Sequence, residues 1–114
     1  MTTLYHNPRC SKSRAALKLL QDHGADFEVV EYLKHPLNLG ELKELSQLLG
    51  LSARGFMRSG EAEYQALGLD QNDVTEADLL AAMHTHPQLM QRPILRTEHA
   101  ATIGRPPENI LALL

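Results

Sequence analysis

The chain has 114 residues, 43% of them hydrophobic, and a net charge of -3, which suits one globular domain with a modest core of its own. One cysteine excludes an internal disulfide, and no apolar run is long enough for a signal peptide or a membrane helix, so the expected home is a reducing cytoplasm. The acidic balance, with three Tyr, two Phe and no Trp, excludes the basic, aromatic surface that nucleic-acid binding needs.

Residues 2–6, Thr-Thr-Leu-Tyr-His, favour a short strand that Asn7-Pro8 stops. From Ser11 to His23 the spacing of Ala16, Leu17 and Leu20 predicts a helix buried on one side, with Gly24 as its C-terminal cap. Phe27, Val29 and Tyr32 interleave with Glu28 and Glu31, predicting a second strand over 26–33 that His35-Pro36 ends. Strand, helix, strand implies a parallel pair with a right-handed crossover.

From Asn38 to about Met90 every apolar pattern is helical. Asn38 with Glu41 has capping-box spacing, and Leu39, Leu42, Leu45, Leu48 and Leu49 share one face, expected to be core, before Gly50. A short helix is expected from Ser52 to about Arg58, a turn or two from Glu61 to Leu67, and a longer helix capped by Thr75 and Asp78 and carrying Leu79, Leu80, Ala82 and Met83. Strand character returns at Ile94–Thr97 and Ala101–Ile103, an antiparallel hairpin turning at 98–100, and Gly104-Arg105-Pro106-Pro107 opens a final helix. The fold class is α/β: a thioredoxin-like core, βαβ then ββα, in a single domain with a helical insertion over about 38–90. A proline opening the third strand of such a core sits beside the thiol in cis, so the Arg92-Pro93 bond is expected to be cis.

The chemistry-bearing stretch is Tyr5 to Arg14. Cys10 falls where strand turns into helix, and residues 9–18 hold Arg9, Lys12, Arg14 and Lys18 with no acid. A helix start offers unpaired N–H groups and the positive end of the dipole, which shift a thiol toward thiolate. Lowering a cysteine's pKa from about 8.5 by two units, worth about 2.7 kcal/mol, makes it roughly three-quarters ionised at pH 7. The alternative, a buried apolar cysteine, fits poorly beside Arg9, Ser11, Lys12 and Ser13.

The sequences His6-Asn7-Pro8-Arg9-Cys10-Ser11-Lys12-Ser13-Arg14, Ser52-Ala53-Arg54 leading to Arg58, Arg92-Pro93-Ile94 and Ile103-Gly104-Arg105-Pro106-Pro107 closely resemble the glutaredoxin-coupled arsenate reductase family. Among its subgroups the chain looks most like short chromosomal members without a C-terminal tail. The resemblance implies that the Cys10 thiolate attacks arsenate to give a thioarsenate ester, that glutathione attacks the adduct as a co-substrate, and that glutaredoxin resolves the mixed species. By the same resemblance Arg58, Arg92 and Arg105 grip the oxyanion, His6 helps hold the thiolate, and Asn7 and Ser13 line the cradle. No bound cofactor and no metal is implied, and a monomer is the default for so short a chain.

Three alternatives differ from this reading by residues. Phosphatase-like arsenate reductases use a Cys-x5-Arg loop, but Ala16 stands six places after Cys10. Spx-like regulators, which bind RNA polymerase and sense oxidation through a Cys-x-x-Cys pair, meet Cys10-x-x-Ser13 here. A general glutathione-dependent thiol transferase would have no use for three arginines. Arg9, Arg54 and Arg96 read as surface residues, and the His84-x-His86 pair has no second cluster of metal ligands.

Overall fold

A computed structural model describes residues 2–114 and divides the chain into two compact units. One runs to His35 and resumes from Arg92 to Leu114; the other is Pro36–Gln91, which spans the residues 38–90 read as an insertion.

The first unit is built on four short strands, β1 (Thr3–His6), β2 (Glu28–Glu31), β3 (Ile94–Arg96) and β4 (Ala101–Ile103), in the order β2-β1-β3-β4. β1 and β2 are parallel, with Leu4 opposite Val29 and His6 opposite Glu31, and helix α1 (Ser11–Asp22) makes the crossover. β3 runs antiparallel to both β1 and β4. Leu4, Ala16, Leu20, Leu95 and Ile110 form a fully buried cluster, so strand, helix and C-terminal segment share one core. Each buried leucine or isoleucine stabilises it by about 1.5–3 kcal/mol.

Two elements differ most from expectation. The second strand keeps only four residues, because it is an edge strand with Val29 exposed; one partner cannot hold the frayed ends in register. The final segment, Pro107–Leu113, takes the tighter 3₁₀ form in place of a regular helix.

In the second unit the capping signals place the helices. Asn38 and Glu41 form a complete capping box at the start of α2 (Leu39–Leu49), and Gly50, at φ 68°, ends it in the left-handed conformation that glycine adopts without strain. Thr75 and Asp78 form the same box at α4 (Glu76–Thr85). Between them lie a 3₁₀ turn at Ala53–Phe56 and the short α3 (Ala62–Ala66). Leu42 and Leu45 are buried, but Leu39 is 51% exposed, so the leucine stripe is not core at its first residue. Leu39 is the first residue of α2, one turn short of the buried Leu42.

Arg54 is exposed, as read from the sequence, but its side chain is fully engaged. Its Nη1 donates to the Tyr64 hydroxyl and the Leu69 carbonyl, both at 2.6 Å, and its Nη2 donates to the Gln71 carbonyl at 3.0 Å. It is a surface clamp of the second unit, tying position 54 to positions 64, 69 and 71. His84 likewise has a local partner, its Nδ1 lying 2.9 Å from the Leu37 carbonyl oxygen. Among the described residues no group of three or more His, Cys, Asp or Glu could hold a metal ion, and no helix is long and apolar enough to cross a membrane.

Candidate active site

β1 delivers His6 and Asn7 to a tight loop that ends at Cys10, the N-cap residue of α1. The loop is held by its own backbone. The Cys10 N–H donates to the Asn7 carbonyl at 3.0 Å, the Arg9 N–H donates to Asn7 Oδ1 at 3.0 Å, and Arg14 N–H donates back to the Cys10 carbonyl at 3.0 Å. Arg14 also reaches over the loop, its Nη1 donating to the Pro8 carbonyl at 3.0 Å. That bond is exposed and screened by solvent, so it adds little to the loop's own hydrogen bonds.

Beneath the loop lies a buried polar cluster. Ser13 is fully buried, and His6 and Asn7 are nearly so. Ser13 Oγ accepts the Asn7 N–H at 3.0 Å and lies 2.6 Å from His6 Nδ1, a hydrogen bond whichever of the two carries the proton. Burial lowers the His6 pKa; Glu31, its partner across the parallel strands, raises it, and Arg14 lowers it again. The net effect is downward, so the ring is neutral at pH 7.

The Cys10 pKa is the outcome of a contest. Burial is the largest influence and pushes the thiol up, but hydrogen bonds from the Ser13 N–H, the Arg92 side chain and the Lys12 N–H, with the Arg92 charge, outweigh it. The thiol therefore lies below an ordinary cysteine and is enriched in thiolate. No capping serine, threonine or aspartate claims the first turn of α1, and no acid stands there, so its N–H groups and positive dipole end act on the Cys10 sulfur.

Arg92 arrives on the β3 flank of β1, two residues before β3, and the Arg92-Pro93 bond is cis as expected. The Arg105-Pro106 bond is also cis, which the sequence reading did not anticipate. Arg105 Nη1 donates to the Arg92 carbonyl at 3.3 Å, placing both arginines at one edge of the unit. Gly104 makes that approach possible: a Cβ there would stand 2.8 Å from Pro93 Cγ and 3.1 Å from Ile110 Cγ2. Its N–H donates to the Pro93 carbonyl at 2.8 Å.

The first unit thus brings together Cys10, His6, Asn7, Ser13, Arg92 and Arg105. Arg58 belongs to the second unit, where its Nε donates to Glu61 Oε1 at 3.1 Å. Sequence reasoning missed Arg14 as the loop's tie and Glu31 as the acid that His6 feels. The parallel register of the first two strands was the signal that could have found Glu31.

Residues 5–113 match the model described as the ArsC family. The chain is 51% identical, over 97% of its own length and 96% of the relative's, to a Neisseria meningitidis protein named arsenate reductase. It is 46% identical to the Escherichia coli K12 protein YfgD, over 97% and 94% of the two chains. The structure of a Vibrio cholerae arsenate reductase superposes with a TM-score of 0.96 at 43% identity, covering 99% of this chain and 97% of that one.

Proposed function

The chain belongs to the ArsC family, and from that premise we propose that it is an arsenate reductase in which Cys10 is the nucleophile and glutathione and glutaredoxin supply the electrons. The observation that carries the reading is the lowered Cys10 thiol with Arg92 as both its hydrogen-bond donor and its positive neighbour. A thiolate alone needs about one such neighbour. A second arginine held against the first suits a tetrahedral dianion, because a guanidinium can donate to two of its oxygens at once.

In the first step the Cys10 sulfur bonds to arsenic and one arsenate oxygen leaves as water, with no change in arsenic's oxidation state. Glutathione's thiolate then attacks the adduct, and a glutaredoxin thiol takes up the glutathione sulfur. The two external thiols become one disulfide, their two electrons pass to arsenic, and water releases arsenite from Cys10. The chain has one cysteine, so both reducing thiols come from outside it, glutathione as co-substrate and glutaredoxin as partner. Arg92 and Arg105 would hold the oxyanion as charge moves; the same role for Arg58 rests on the resemblance alone. His6, neutral and tied to Ser13, keeps the loop's base polar without adding a charge that would compete for the substrate.

The test is arsenate-dependent NADPH oxidation with glutathione, glutaredoxin and glutathione reductase present. Wild-type protein turns over, and Cys10→Ser, correctly folded, falls to background because the hydroxyl is not ionised at neutral pH. Turnover persisting in Cys10→Ser would remove Cys10 from the reaction. Reduction of a mixed disulfide in place of arsenate by the folded wild type would favour the thiol-transferase reading.

A further inference from the structure

A cleft of about 210 Å³ opens beside the thiol loop, entirely within the first unit. Residues 6–9 form one wall, ending at the residue before Cys10, and Glu31, Leu33 and Lys34 form the other. Resting on the glutathione-dependent reading above, we infer that this cleft seats the amino-acid end of the external thiol, a zwitterion with a free ammonium beside a carboxylate.

Charge selects that class. Arg9 and Lys34 offer two cations and Glu31 one carboxylate, with Leu33 between them as an apolar surface. A carboxylate meets Arg9 or Lys34 while an ammonium meets Glu31. A bare inorganic dianion gains from the cations but is opposed by Glu31, and a nucleotide finds no Phe, Tyr or Trp on either wall. Size agrees. At about 210 Å³ the cleft falls short of the roughly 300–1,000 Å³ of drug-sized sites. It is enough for one amino-acid end, the remainder of the peptide continuing over the rim toward Cys10.

The rim is free to accept such a ligand. Lys34 Nζ and Glu31 Oε1 are 3.7 Å apart with side chains 72% and 40% exposed, a solvent-screened pair of the kind that contributes about 0–1 kcal/mol and exchanges readily for a ligand's charges. No acid among the described residues pairs with Arg9. The cleft approaches the thiol loop from the β2 side and Arg92 from the β3 side, on opposite flanks of β1. Oxyanion and reductant would therefore enter from different directions and need not displace each other.

The experiment titrates S-methylglutathione, which has no free thiol, into isotopically labelled Cys10→Ser protein and follows the backbone amides. Shifts centred on residues 6–9 and 31–34, with binding weakened about five-fold or more in Lys34→Glu, support the cleft. Shifts elsewhere, or equal affinity in Lys34→Glu, overturn it. In the Cys10 enzyme, Lys34→Glu should raise the KM for glutathione by a similar factor and leave the KM for arsenate at its wild-type value; an unchanged KM for glutathione overturns the cleft even if arsenate reduction is intact. Binding in the cleft by a protein that does not reduce arsenate would keep the cleft and sink the reductase reading.

Discussion

The thiol loop of the first unit and the 53–71 loop of the second use arginine in opposite ways. Arg54 has its acceptors within its own loop, two carbonyls and a tyrosine hydroxyl, and so stabilises structure. Around Cys10 the donors converge on a group that is better anionic: the Ser13 and Lys12 N–H groups and Arg92 all lower its pKa. Arg14 takes the structural duty there, tying the loop through the Pro8 carbonyl, which frees Arg92 to act on the sulfur. The same residue type serves fold or chemistry according to whether its acceptors are already supplied by the chain.

The sharpest break of this contrast is Arg92→Ala. Removing a donor of this kind from a site of developing charge costs about 10²–10³ in turnover, measurable in the coupled arsenate assay, with little loss of stability. The same variant tests the sign of the thiol shift. The folded-state Cys10 pKa is depressed, so the thiolate is present from below a cysteine's usual value upward and is lost as pH falls through the folded pKa. Alkylation of Cys10 by iodoacetamide should rise along a limb below the ordinary midpoint of about 8.5, and Arg92→Ala should move that limb to higher pH. An unmoved limb would detach Arg92 from the sulfur.

Arg54→Ala should behave in the reverse manner. Three hydrogen bonds from a charged donor are lost and their acceptors left unmet, for about 2–4 kcal/mol, or a fall in melting temperature of roughly 8–15 °C, while the Cys10 alkylation limb stays where it is. A shifted limb in Arg54→Ala would show that the two loops are not separable.

Gly104→Ala tests the bridge between fold and site within the first unit. Its Cβ would clash with Pro93 Cγ at 2.8 Å, and overpacking of this kind costs about 1–3 kcal/mol. Thermal unfolding should show the loss, with a smaller fall in turnover as the Arg92 backbone shifts. The smallest effect is expected at Leu39→Ala, within about 0.5 kcal/mol for an exposed side chain, against about 2–5 kcal/mol for the buried Leu45→Ala. Equal losses at the two positions would mean that Leu39 is covered in solution.

What the sequence determined was whatever is encoded within a few residues. Both capping boxes join residues three apart, Asn38 to Glu41 and Thr75 to Asp78, so they were legible before any tertiary structure. The helix start at Ser11, the strand pair β3–β4 and the thiol in an acid-free basic run follow from the same short-range logic. Tertiary structure decided what lies across greater separations. Arg54 is the surface arginine that its sequence suggests, but its clamping role exists only because folding brings Tyr64, Leu69 and Gln71 to it, ten to seventeen positions away. The buried bond from His6 to Ser13, the pull of Glu31 on His6 and the exposure of Leu39 likewise depend on which elements meet. Periodicity names a face of a helix or strand, but only packing says whether anything covers it, and only the meeting of distant segments says which charge is already answered.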